Sequence, residues 1–149
     1  MTPLIVLVAS FVLFLTLGSL QLPMAFGWWT ALRLALAVMF LLTASAHWGK
    51  RRPDLVRMVP RSFPHAEFLV TATGLLEIAG AIGLMAPNMA RVAAAGLSIL
   101  LVAVFPANVR AAKERLTIAG QSTPPLVLRS VIQIIFLCAT VSVAIGTGR

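Results

Sequence analysis

The chain contains 149 residues, of which 60% are hydrophobic and 11% are charged, and its mean hydropathy is +0.99. Soluble domains contain roughly 45–50% apolar and about 25% charged residues, so the composition excludes that class and predicts an integral membrane protein. Twelve basic and four acidic residues give a formal charge of +8, but most basic residues flank apolar segments, which favours contact with anionic membrane lipids over nucleic-acid binding.

Five apolar segments approach the roughly 20 residues that a membrane-spanning helix requires. In chain order, these segments are residues 3–20, 28–48, 67–86, 89–109 and 126–145. The first lacks the basic start of a signal peptide, so we predict a retained helix rather than a cleaved leader. No change in composition and no internal repeat divides the chain, which predicts a single transmembrane domain over residues 1–149.

Residues 53–64, between the second and third helices, are too apolar for an ordinary solvated loop. Apolar side chains alternate there with Arg57 and Arg61, and three prolines keep the segment short and bent. Such a composition is typical of a segment that lies in the plane of the lipid headgroups. We predict an interfacial segment rather than a catalytic loop, because it contains no nucleophile paired with a base.

Nine of the twelve basic residues lie in, or at the edge of, two loops. They are Lys50, Arg51, Arg52, Arg57 and Arg61 after the second helix, and Arg110, Lys113, Arg115 and Arg129 after the fourth. In a five-helix chain both loops lie on one side of the membrane, and the positive-inside rule makes that side cytoplasmic. We therefore predict a multi-pass protein with a cytoplasmic N-terminus, an external C-terminus, and external connections at residues 21–27 and 87–88.

Glu77 is the only charged residue between Glu67 and Arg91. It lies ten residues into the third helix, or about 15 Å, which places it near the middle of a bilayer. A charged side chain there costs at least roughly 2.5–3.5 kcal/mol unless it is paired, protonated or facing a wet cavity. Small residues such as Gly74 and Gly80 share its helical face, so we expect Glu77 to point into the bundle.

Arg33 is the predicted partner of Glu77. It lies five residues into the second helix from the external side, and its long side chain could reach Glu77 if these two helices are neighbours. Such a pair could serve only to fix helix packing, or it could line a ligand site. Alternatively, Arg33 could extend to the external headgroups and leave Glu77 protonated.

Polar residues also occur near the predicted cytoplasmic ends of the helices. His47 ends the second helix, and Asn108 follows Pro106 near the end of the fourth. Arg33 and His47 share one face of the second helix, so these residues could line one interior seam with Glu77. The candidate ligand-binding residues are therefore Glu77, Arg33, Asn108 and His47. We predict no catalytic residue, and no metal site because the histidines lack the spacing of metal ligands.

The fifth helix carries the single cysteine, Cys138, in an apolar segment. One cysteine can form neither an internal disulfide nor a dithiol pair, which excludes dithiol redox chemistry by this chain alone. We expect Ser130 and Gln133, on the same helix, to form hydrogen bonds between helices.

Four stretches of this sequence carry a resemblance to a known family: "ALRLALAVMFLLTASAHW", "RPDLVRMVP", "TGLLEIAGAIGLMAP" and "LLVAVFPANVRAA". With them, the chain resembles the DoxX-like family of small bacterial membrane proteins. The resemblance implies an all-α four-helix transmembrane bundle, to which the first segment adds an N-terminal transmembrane helix. It also implies a location in the bacterial cytoplasmic (inner) membrane and an association with quinone-linked oxidoreductases.

The leading functional hypothesis is a non-catalytic membrane subunit or small-ligand binding protein associated with a membrane redox system. Its intramembrane polar site would accept a quinone or another lipid-like molecule. The alternatives are a small transporter that uses Glu77, and an enzyme on a membrane-soluble substrate with His47 or Glu77 as general acid or base. Expected partners are membrane lipids, and a membrane protein or a second copy of the chain.

Overall fold

Helices make up most of the part that the computed structural model describes, which is residues 1–19, 27–118 and 120–146. In these residues the helices are α1 (Thr2–Ser19), α2 (Trp28–Ser45), α3 (Arg52–Met58), α4 (Ala66–Met85), α5 (Ala90–Lys113) and α6 (Leu126–Gly146). Between α5 and α6, two short strands, β1 (Thr117–Ile118) and β2 (Gln121–Ser122), pair antiparallel. The predicted all-α class is confirmed.

Five of these helices, all except α3, are long and apolar enough to cross a membrane, as predicted. A helix satisfies its backbone hydrogen bonds internally, which is why long apolar segments adopt this structure where water is absent. Two ends differ by more than one residue from the predicted bounds: α2 ends at Ser45, and α5 continues through Pro106 to Lys113. The predicted external connection at 21–27 lies, except for Gly27, outside the described residues.

The segment predicted to be interfacial contains α3 in its first half. Pro53 occupies the first turn of this helix, where its missing N–H would have had no helical partner. Asp54 and Arg57 form an ion pair one turn apart. From Val59 to His65 the chain forms turns and bends, and α4 begins directly afterwards.

The helices α2, α4, α5 and α6 contact one another in a closed cycle, and α1 packs against α2. The register is defined by the contacts Thr43–Glu77 and His47–Gly74 (α2–α4), Gly80–Leu97 and Gly83–Ala93 (α4–α5), and Ser98–Thr140 and Asn108–Gln133 (α5–α6). In each pair the second number falls as the first rises, so successive helices run antiparallel. The largest fully buried side chains are Phe40, Leu36, Met39, Leu84, Leu97, Val143 and Thr140.

Glycines allow α4 and α5 to approach closely. A Cβ atom added to Gly80 would lie 2.5 Å from Cγ and Cδ2 of Leu97, and one added to Gly83 would lie 2.7 Å from the Ala93 Cβ. Lipid tails are as apolar as a leucine side chain, so helices in a membrane gain little from hiding apolar surface and depend on such close packing. The α4–α5 contact therefore requires small residues at these two positions.

We predict that Gly80→Ala lowers the free energy of unfolding by about 1–2 kcal/mol, because the added methyl group overpacks the contact with buried Leu97. Gly96→Ala is the matched control: Gly96 also lies inside a long helix, but its added Cβ would meet no atom within 4 Å. There the higher helix propensity of alanine should stabilise the protein by about 0.5–1 kcal/mol. Unfolding of both variants in detergent checks the prediction, and equal stability of the two would contradict it.

Large apolar side chains cover the outward faces of the long helices. Val92, Val127 and Ile145 are 78%, 76% and 72% exposed, and many other leucines, isoleucines and valines are exposed beside them. Soluble monomers rarely expose continuous apolar patches of this extent. The outward surface suits lipid rather than water.

Candidate functional site

Glu77 lies near the middle of α4 and faces the last turn of α2. The Thr43 hydroxyl donates a hydrogen bond of 2.9 Å to the Glu77 carboxylate, and Nδ1 of His47 lies 3.9 Å from the same oxygen, Oε2. We call Thr43, His47 and Glu77 the Glu77 cluster. Gly74 makes this approach possible, because a Cβ there would lie 2.8 Å from the side chains of His47 and Trp48.

His47 is held by the backbone of its own helix end. Its Nδ1 lies 3.3 Å from the Thr43 carbonyl oxygen and 3.2 Å from that of Ala44. Carbonyl oxygens only accept hydrogen bonds, so Nδ1 carries the hydrogen in these contacts. His47 lies beyond the last residue of α2. Burial lowers its pKa below the ordinary value of a histidine. Burial therefore disfavours the charged form of the ring, which is the form that would pair with the Glu77 carboxylate.

The predicted ion pair between Arg33 and Glu77 is not formed, and that prediction is wrong. Thr43, and not Arg33, lies opposite Glu77. Arg33 precedes Thr43 by ten residues, or about 15 Å along the helix axis. In an antiparallel pair this places Arg33 level with Pro87, beyond the end of α4 at Met85. The helix register therefore separates the two charges.

Asn108 belongs to a different helix pair from Glu77. Arg129 of α6 donates a hydrogen bond of 2.9 Å to the side-chain oxygen of Asn108. The side-chain nitrogen of Asn108 donates one of 2.8 Å to the side-chain oxygen of Gln133. Gln133 in turn donates to the Leu101 carbonyl oxygen at 2.6 Å. We call Asn108, Arg129 and Gln133 the Asn108 network. It connects α5 to α6, and it confirms the interhelical hydrogen bond predicted for Gln133.

Two arginines attach the α3 region to the long helices. Arg52 donates to the His47 carbonyl oxygen at 2.9 Å, to that of Glu67 at 3.3 Å and to the Thr71 hydroxyl at 2.9 Å. Arg110 donates to the Val59 carbonyl oxygen. His47 of the Glu77 cluster and Arg129 of the Asn108 network lie toward the end of the bundle that carries the two basic loops, which we call the basic end. They belong to different helix pairs.

Two open grooves lie at this basic end. One, of about 340 Å³, is lined by Pro60, Arg61, Pro106, Val109, Arg110, Lys113 and Glu114. The other, of about 320 Å³, is lined by Ala112, Arg115, Thr123, Pro124, Pro125 and Leu126. In the first groove, the hydrogen bond from Arg110 holds the pKa of Glu114 below its ordinary value. None of the four predicted ligand-binding residues lines either groove.

The structure brings together only two of the four predicted site residues, Glu77 and His47. Sequence reasoning missed Thr43 as a donor to Glu77, although it lies one turn before His47 on the same helical face. It also counted Arg52 and Arg129 only as charges that determine orientation. Among the described residues, no three His, Cys, Asp or Glu side chains come close enough together to hold a metal ion.

Comparison with known proteins gives one family. Residues 36–144 match the family described as "Domain of unknown function (DUF8561)". No curated protein and no solved structure matches the chain. The matching family is not the DoxX-like family, so the resemblance predicted from the sequence is wrong. The match includes Glu77, His47 and Asn108, and it begins three residues after Arg33.

Proposed function

The chain belongs to the DUF8561 family, which carries no assigned activity, and we propose from its own residues that it is a multi-pass membrane protein that binds a small lipid-like ligand. In this proposal α2, α4, α5 and α6 form a four-helix transmembrane bundle, α1 adds a fifth spanning helix, and α3 lies at the interface. The basic end faces the cytoplasm, in accordance with the positive-inside rule. The five long apolar helices and their apolar outward faces support this arrangement.

The environment of the Glu77 carboxylate is the observation that carries the ligand-binding proposal. Within the described part of the chain, Thr43 is its one hydrogen-bond donor, whereas a carboxylate has about four acceptor sites. The Glu77 side chain is 14% exposed, so it is accessible at the seam between α2 and α4. A carboxylate in an apolar surrounding requires further donors, and a bound ligand can supply them.

The adjacent residues define the chemistry of the ligand. Leu42 precedes Thr43, Leu76 precedes Glu77, and both leucines are exposed on the outward faces of their helices. A molecule that reaches Glu77 laterally from the lipid therefore meets apolar side chains before the carboxylate. We propose an amphipathic ligand with an apolar body and a cationic or hydrogen-bond-donating head.

We predict that Glu77→Gln weakens binding of a long-chain amine, with dodecylamine as the probe, by about tenfold, because the neutral amide loses the charge-assisted interaction. Its amide oxygen can still accept the hydrogen bond from Thr43, so the fold is retained. Native mass spectrometry of the protein in a maltoside detergent measures probe retention.

Glu67→Gln is the matched control for this experiment, since Glu67 is a carboxylate of the same helix but lies exposed in its first turn. We expect that variant to retain dodecylamine as the unchanged protein does. Equal retention by the Glu77 and Glu67 variants would refute the ligand site and leave Glu77 with a packing role.

A second candidate function is proton or cation transport, and the 3.9 Å separation of His47 and Glu77 favours it, because both side chains can carry a proton. A flux assay in liposomes distinguishes the two proposals. Ligand binding without transport gives no flux for the unchanged protein or for Glu77→Ala, whereas transport gives a flux that Glu77→Ala abolishes.

A further inference from the structure

Arg33 is a buried cation that is not part of the Glu77 cluster. It lies in the first third of α2, its side chain belongs to the buried face of that helix, and the residue is only 8% exposed. Its Nε atom is fully buried and has no hydrogen-bond partner. Arginine cannot be neutralised by losing a proton in a protein, so its charge persists at this position.

No acidic side chain of the chain can compensate this charge. The sequence contains four acidic residues, all of them among the described residues: Asp54, Glu67, Glu77 and Glu114. Glu77 is about 15 Å away along the helix axis, and the other three lie farther toward the basic end. An uncompensated buried charge is strongly destabilising, so the position of Arg33 calls for an anion other than these four side chains.

The surroundings of Arg33 indicate where such an anion would enter. Trp29 lies one turn before Arg33 on the same face of α2, and its ring packs so closely on Gly146 that a Cβ there would lie 2.3 Å from it. Trp28, next to it, is exposed and packs edge-on against Phe11. Tryptophans concentrate at the level of lipid headgroups, and Arg33 lies only about 7 Å farther in.

We propose that Arg33 binds the phosphate or carboxylate group of an amphipathic or free anion, at the end of the bundle where Trp29 of α2 meets Gly146 of α6. The planar guanidinium can donate two parallel hydrogen bonds to either group. One of them can come from the buried Nε atom, and the bound anion also compensates the charge of Arg33. This site lies on the opposite side of Glu77 from the basic end and does not depend on the ligand proposed for Glu77.

The experiment compares the unchanged protein with Arg33→Gln and Arg91→Gln in a maltoside detergent free of phosphate and phospholipid. Arg91 is the matched control, because it lies at the same end of the bundle but is exposed and donates to the Ala144 carbonyl oxygen. One arm adds short-chain phosphatidylglycerol, with the corresponding diacylglycerol as the uncharged comparison. The other arm adds inorganic phosphate. The readout is the midpoint of thermal unfolding.

Without anion, we expect Arg33→Gln to be at least as thermostable as the unchanged protein, because it removes an uncompensated buried charge. At a probe concentration about 100 times its dissociation constant, the midpoint of the unchanged protein should rise by about 5–10 °C. The Arg91→Gln midpoint should rise equally, and that of Arg33→Gln should not. A rise with phosphatidylglycerol alone identifies a lipid headgroup, and a rise in both arms identifies an anion site open to free phosphate.

Two results would overturn the proposal. One is that neither probe raises the midpoint of the unchanged protein, a measurement that does not require any Arg33 variant to fold. The other is that phosphatidylglycerol or phosphate stabilises Arg33→Gln as much as the unchanged protein. If Arg33→Gln does not fold, Arg33→Lys replaces it: a lysine keeps the charge but not the paired hydrogen bonds, so its midpoint should rise less than that of Arg91→Gln.

Discussion

Replacing Asn108 with leucine is expected to lower the free energy of unfolding by about 2–3 kcal/mol, because a hydrogen bond to a charged group contributes about 1.5–3 kcal/mol and Arg129 is half-buried. Asn108 is the side-chain acceptor of Arg129 at 2.9 Å, and it also donates to Gln133. The remaining contact of Arg129 Nη1, with the Asn108 backbone oxygen, is long at 3.5 Å, and its Nε has no partner. Leucine has a similar volume, so the loss reflects polarity rather than space. Denaturant titration in detergent measures it.

Ser98→Ala is the matched control for this prediction. It also removes a hydrogen bond between α5 and α6, the 2.8 Å contact from Ser98 to Thr140, but it exposes no charge. We expect it to cost about 1 kcal/mol. The double variant Asn108→Leu/Arg129→Met should recover part of the loss, because replacing both partners with apolar side chains leaves no unpaired charge. A cost of Asn108→Leu no greater than that of Ser98→Ala would contradict the prediction.

The long helices could be predicted from the sequence because one rule governs them: a chain in lipid must satisfy its backbone internally over roughly 20 apolar residues. The least accurate end was that of α5. The predicted segment ended at Val109, three residues after Pro106, yet the helix continues to Lys113. A proline removes one backbone hydrogen bond, and the polar side chains that follow it, such as Asn108 and Arg110, connect this last part of α5 to α6 and to Val59.

The pairing of polar residues across helices could not be predicted, and Arg33 with Glu77 is the clearest example. Each residue was placed at a reasonable depth in its own helix. The position of α2 along the axis of α4, however, depends on the connection between the two helices. That connection contains α3, and Arg52 and Arg110 bond it to the long helices. That connection places Thr43 opposite Glu77. A shift of ten residues between α2 and α4 decides whether Arg33 and Glu77 form an ion pair or lie in two independent sites. The sequence pattern of a single helix contains no information about that shift.

The family resemblance failed for a related physical reason. The stretches that carried it, such as "TGLLEIAGAIGLMAP", consist mostly of small and apolar residues, which any closely packed membrane helix tends to contain. Similarity of such stretches does not by itself indicate common descent. The match of residues 36–144 to DUF8561 overrides it.

The described contacts divide the bundle into interfaces of two kinds. Between α4 and α5, Gly80 and Gly83 allow close apolar packing. Between α2 and α4, and between α5 and α6, side-chain hydrogen bonds contribute as well. The polar groups of these two interfaces lie on different helix pairs, so a ligand at Glu77 need not disturb the Asn108 network. The basic end joins the two pairs through Arg52 and Arg110.

We predict that Arg52→Ala lowers the free energy of unfolding by about 2–3 kcal/mol. The Arg52 guanidinium donates to the carbonyl oxygens of His47 and Glu67 and to the Thr71 hydroxyl, so one side chain joins the end of α2 to the first turns of α4. Hydrogen bonds from a charged group contribute about 1.5–3 kcal/mol each, and partial exposure of Arg52 reduces their sum. Denaturant titration measures the loss, and faster trypsin cleavage at Arg57 reports release of α3.

Arg51→Ala is the matched control, since it removes an adjacent arginine and one trypsin site but is exposed and forms no side-chain hydrogen bond among the described residues. We expect its stability to change by less than about 0.5 kcal/mol and its cleavage at Arg57 to remain slow. If Arg51→Ala and Arg52→Ala behave alike, the basic residues at this end act only through their net charge. If only Arg52→Ala loosens α3, then Arg52 sets the position of α4 against α2, and with it the contact between Thr43 and Glu77.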